Sequence, residues 1–85
     1  MKNLIFSSRA WEEYLFWGKH DRKKSERINK LIKDILRNPF EGIGKPEPLK
    51  LKLQGYWSRR IDEEHGLVYE YNDGSLIIIS CRSHY

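Results

Sequence analysis

Between Ile28 and Leu36 the apolar residues Ile28, Leu31, Ile32, Ile35 and Leu36 occupy the i, i+3, i+4, i+7, i+8 positions of one helix face. Charged residues fill the opposite face. Asn38-Pro39 stops the helix, because a residue before proline disfavours helical geometry. A first helix is predicted from about Arg9 to Gly18. Ser7 and Ser8 can cap it, and Trp11, Tyr14 and Leu15 recur at helical spacing on one face. Ahead of it, Leu4-Ile5-Phe6 reads as a short opening strand.

After the helices the period shortens to two. Phe40 to Pro48 is a loop rich in Gly and Pro. Leu49-Lys50-Leu51-Lys52-Leu53 alternates strictly, which predicts a half-buried strand with leucines inward and lysines outward. Gln54-Gly55 turns the chain. Tyr56 to Asp62 is the next strand, with Trp57, Arg59 and Ile61 on one face and Tyr56, Ser58 and Arg60 on the other. Leu67 to Tyr71 follows, then the hairpin signal Asn72-Asp73-Gly74. Leu76 to Arg82 is apolar enough to be a central strand. A strand, two helices and then a run of strands predict an α+β fold, two N-terminal helices packed on a twisted antiparallel sheet. At 85 residues, with no repeat or linker, the chain 1–85 fits a single domain.

Charge changes this picture moderately. Sixteen Lys and Arg oppose twelve Asp and Glu, a net charge of +4. Eight basic and three acidic residues lie between Lys19 and Arg37. They make either a solvated helix face or a platform for a phosphate-rich surface. Cys81 is the only cysteine, so no disulfide closes within the chain, and no cluster has metal-ligand spacing. No apolar run approaches the ~20 residues that span a bilayer. The opening residues lack the apolar stretch of a signal peptide. A reducing cytoplasm is the simplest setting.

No phosphate loop, dinucleotide fingerprint or nucleophile elbow is present. Polar residues instead gather on or beside the strands: Lys45, Glu47, Lys50, Lys52, Arg59, Arg60, Arg82, His84 and Tyr85. Cleaving RNA without metal needs a base for the ribose 2′-hydroxyl, an acid for the leaving 5′-oxygen and cations for the phosphate. The chain contains all three types. Glu47 is either a carboxylate held extended by Pro46 and Pro48 or an exposed loop residue beside lysines. His84 is either a proton donor beside the last strand or part of a frayed end. His65 and His20 read as turn or surface residues, and Cys81 as a small core residue.

These segments together resemble the YoeB toxins of the RelE/ParE superfamily. They are Lys45-Pro46-Glu47-Pro48-Leu49-Lys50, Gly55-Tyr56-Trp57-Ser58-Arg59-Arg60-Ile61, Glu63-Glu64-His65 with Leu67-Val68-Tyr69, and Cys81-Arg82-Ser83-His84-Tyr85. Asn38-Pro39-Phe40-Glu41-Gly42 and the aromatic first helix extend the likeness to essentially the whole chain. It implies a microbial-ribonuclease-like fold and an mRNA endoribonuclease acting at the ribosomal A site, without cofactor or metal. It implies neutralisation by a YefM/Phd-type antitoxin, and a homodimer. By motif, Glu47 becomes the general base and His84 the general acid. Lys50 and Arg60 contact phosphate, Arg59 joins the substrate-binding set, and Tyr85 orients substrate. The chain departs from the pattern at Gly66, where such toxins carry an arginine thought to clamp the scissile phosphate. Losing one such donor typically slows a reaction by about 10²–10³. Attenuated cleavage is therefore expected, unless Arg59, Arg60 or Arg82 substitutes. Two other readings use the same residues: a ribosome- or RNA-binding module that blocks translation by occupancy, and a ParE-like topoisomerase inhibitor.

Overall fold

A computed structural model describes residues 2–83. Their elements are β1 (Asn3–Phe6), α1 (Ser8–His20), α2 (Arg22–Arg37), β2 (Glu47–Pro48), a single 3₁₀ turn (Leu51–Leu53), β3 (Trp57–Arg60), β4 (Gly66–Asn72) and β5 (Ser75–Ser83). The five strands form one sheet in the order β1-β5-β4-β3-β2. The α+β class holds, with one difference. The sheet is mixed, because β1 runs parallel to β5, Leu4 pairing with Leu76 and Phe6 with Ile78. The remaining pairs are antiparallel.

Caps explain the helices' limits. The Ser7 side chain accepts from the Ala10 N–H at 3.0 Å and starts α1. Asp21 joins the helices: its N–H donates to Trp17 O at 2.8 Å, and its carboxylate accepts from Lys24 N. Asn38, extended before Pro39, ends α2. The stripe of α2 is buried as its spacing predicts, with Leu36 half-buried. In α1 the buried stripe lies one position round from the expected one. Ala10 and Trp17 are enclosed, Tyr14 is half-buried, and Trp11 and Leu15 stay exposed. Ala10 lets α1 approach β5 closely, and Trp17 fills the space beyond, donating its indole N–H to Cys81 O at 2.8 Å. Burial pushes the Cys81 thiol up to about 12, as befits a core residue.

The predicted strand Leu49–Leu53 does not form. Leu53 N–H bonds Lys50 O and Gln54 N–H bonds Leu51 O, which closes a 3₁₀ turn instead. Leu51 takes a φ of 57° and is 90% exposed. The physical reason is position. The sheet ends at β2, so these leucines have no covered face to alternate against. The hairpin expected at Asn72-Asp73-Gly74 forms as a two-residue turn, Asp73 and Gly74 both taking positive φ between paired Asn72 and Ser75. No described helix is long and apolar enough to cross a membrane.

Candidate active site

Alternation along β3 sends neighbouring side chains to opposite faces of the sheet. Arg59 points beneath the helices. It is 0% exposed. Its Nη1 donates to the Asp34 carboxylate at 2.6 Å and to Ile43 O, its Nη2 to the carbonyls of Asn38 and Glu41, and its Nε to the Tyr69 hydroxyl. Tyr69 in turn donates to Pro39 O at 2.7 Å. Arg59, with no donor left for a ligand, is therefore not a substrate-binding residue. That expectation is corrected: its guanidinium is the hub around which residues 38–43 wrap. Hydrogen bonds from Arg59 and from the Ile43 N–H hold the Asp34 carboxyl below its ordinary value. The wrap is tight enough to require glycine at two positions. A Cβ on Gly42, at φ 132°, would lie 2.0 Å from Asp34 Oδ2. One on Gly44, at φ 81°, would lie 2.7 Å from Leu31 Cδ2.

This wrapped loop delivers Lys45, Pro46 and Glu47 to the sheet edge. Pro48 is tolerated there because an edge strand has a side without ladder bonds. Glu47 pairs with Ser58, and Leu49 N–H donates to Tyr56 O at 2.9 Å. Arg60 is fixed through its backbone, its N–H donating to Gly44 O and its carbonyl accepting from Arg27 of α2. The turn into β4 is organised by Asp62. Its carboxylate accepts from the Glu64 and His65 N–H groups and meets Lys24 at 3.0 Å. Desolvation opposes ionisation of Asp62, but those hydrogen bonds outweigh it and lower its pKa.

The face of β3 away from the helices carries Ser58 and Arg60. Two rows cross it. One runs Glu47, Ser58, Val68, Ser80, and the next Arg60, Gly66, Ser83. Register shifts on either side of Val68 add residues to β5 and bend the strand. Directly opposed residues have Cβ atoms about 4.5–5.5 Å apart, and diagonal ones about 7–8 Å. Glu47 and Arg60 stand on such a diagonal, so the sheet brings an exposed carboxylate and an exposed guanidinium to the open face, the one opposite the helices, although Ser58, Val68 and Ser80 on that face are buried. Gly66 lies directly across from Arg60, on backbone that does not take a positive φ. Lys50 is exposed and begins the 3₁₀ turn just beyond β2. The Arg82 guanidinium lies 3.4 Å from the centre of the Phe16 ring, on the α1 side. His84 and Tyr85 lie outside the described residues. They follow Ser83, which pairs with Gly66.

Two functional features escaped the sequence reading. Asp34 was not singled out as the partner of Arg59. The signal was available, since an arginine alternating in phase with Trp57 and Ile61 faces inward and needs a carboxylate. Alternation puts Ser58 on the face opposite Trp57, but nothing in the sequence marks its hydroxyl.

Residues 6–85 match the profile of the YoeB-like toxins of bacterial type II toxin–antitoxin systems. Toxin YoeB of Escherichia coli K12 is 57% identical over 82 residues, covering 96% of this chain and 98% of the relative. The YoeB dimer of Staphylococcus aureus superposes with a TM-score of 0.93 at 49% identity, covering 99% of this chain and 98% of that one. The toxin of the S. aureus YoeB–YefM complex does so with a TM-score of 0.92 at 48% identity, covering 100% and 99%.

Proposed function

Because the chain belongs to the YoeB-like toxins of bacterial type II toxin–antitoxin systems, we propose that it is an mRNA endoribonuclease that cuts at the A site of translating ribosomes in the cytoplasm, with its 85 residues working as one domain. The observation that carries this reading is the diagonal of Glu47 and Arg60 on the open face of the sheet, beside the row that ends at Ser83.

In this mechanism the Glu47 carboxylate accepts the proton of the ribose 2′-hydroxyl. The freed oxygen attacks phosphorus, and the bond to the 5′-oxygen breaks. His84 gives that oxygen a proton. Arg60 and Lys50 stabilise the charge on the phosphate, and Tyr85 orients the nucleotide. The products are a 2′,3′-cyclic phosphate and a 5′-hydroxyl. General acid and base groups contribute about 10²–10⁴-fold each. Gly66 leaves the row between Arg60 and Ser83 without a cation, so cleavage is slow. A YefM-type antitoxin neutralises the toxin, and the free toxin pairs as a homodimer. The S. aureus complex and dimer support both partners.

The test is primer extension on programmed ribosomes, together with end-group analysis. The Gly66→Arg protein is expected to cut about 10²–10³ faster than the chain itself, leaving cyclic-phosphate ends. Translation arrested with mRNA intact, falling steeply with salt, would replace this reading with block by occupancy. Inhibited DNA supercoiling with no effect on mRNA would point to a topoisomerase target.

A further inference from the structure

Ser58 is the one residue on the open face of β3 whose chemistry is unaccounted for. It is 1% exposed. Its hydroxyl oxygen is buried and makes no hydrogen bond among the described residues. Leaving a buried hydroxyl without a hydrogen bond is unfavourable. Alanine would fill nearly the same volume without that penalty. The hydroxyl therefore calls for a partner that reaches it part of the time.

Register shows which side chains stand opposite it. On the β4 side Ser58 faces Val68, which has no polar side chain. On the β2 side it faces Glu47. Directly opposed Cβ atoms stand about 4.5–5.5 Å apart, so one rotamer of the glutamate carries its carboxylate over the serine. Among the described residues, Lys45 and Lys50 flank Glu47 on its own segment and Arg60 stands on the diagonal. The facing positions of β4, Gly66 and Val68, carry no charge.

We propose that Ser58 is a positioning residue whose hydroxyl donates a hydrogen bond to the Glu47 carboxylate when that side chain turns in over the sheet, in the free protein and with substrate bound. It makes and breaks no covalent bond. The contact restricts the rotamers of the carboxylate and leaves one lone pair directed out of the sheet. The inference rests on the reading that Glu47 takes the ribose proton, but its test does not.

The experiment reads the Glu47 side-chain rotamers from three-bond NMR couplings in the full chain, the signals assigned with Glu47→Gln. Ser58→Ala is expected to average those couplings toward the values of an unrestrained glutamate, and Ser58→Thr, which keeps the donor, to restore them. Ser58→Ala should also melt no lower than the parent, since it removes an unsatisfied group. In the Gly66→Arg background, Ser58→Ala should lower kcat about tenfold at unchanged KM. Glu47 couplings identical with and without the serine hydroxyl, in proteins folded alike by circular dichroism, overturn the proposal. Couplings that change while Glu47→Gln still cleaves at full rate keep the contact and remove Glu47 from the base role.

Discussion

Arg59 and Arg60 are chemically identical, adjacent on one strand, and have opposite fates. Arg59 faces the helices, where every donor nitrogen is matched to a carboxylate, a hydroxyl or a carbonyl. It organises residues 38–43 and so the approach of Glu47 to the sheet. Arg60 faces outward, held by its backbone, its guanidinium exposed beside the Glu47 row. The comparison teaches that a basic motif on a strand is not one feature but two. The residue that holds the loop and the one that faces solvent are one peptide bond apart.

Substitutions divide the two roles. Arg59→Ala leaves Asp34, Tyr69 and several carbonyls without their donor. It should destabilise the fold by about 3–5 kcal/mol, read as a loss of denaturant midpoint or of soluble protein. Arg60→Ala should leave stability within about 0.5 kcal/mol. Its effect appears in cleavage by the Gly66→Arg protein, which should fall about tenfold or more. If Arg60→Ala instead collapses the fold, the division is wrong. Smaller still is an effect of acid. The folded-state pKa of Asp34 lies below its ordinary value of 3.8, so its contribution is fully present above that value. It is lost as pH falls through the depressed folded-state value. The melting temperature should therefore fall below about pH 4, and part of that fall should vanish in Asp34→Asn, which starts less stable.

Sequence pattern reached the helices because their burial has a period of 3.6 and their ends have caps. It reached the hairpin because Asp73 and Gly74 meet the positive-φ demand of a two-residue turn. It failed at Leu49–Leu53, where perfect alternation lies beyond the edge of the sheet. Alternation shows which residues could share a face, not whether a face exists to be covered. It also failed to show that β1 runs parallel, because strand direction depends on the path between elements. Glu47, Lys50, Arg60 and Gly66 could be named from motif segments. That Arg59 did not belong with them was present in the same alternation that put Trp57 inward. The Ser58 hydroxyl became visible only once register placed Glu47 opposite it.

The most direct measurement is single-turnover cleavage of mRNA on programmed ribosomes by the Gly66→Arg protein, with and without Glu47→Ala. Removing the carboxylate should slow cleavage by about 10²–10⁴ while ribosome binding and melting temperature stay unchanged. Cleavage that continues undiminished would contradict the assignment of RNA chemistry to the open face of β2, β3 and β4.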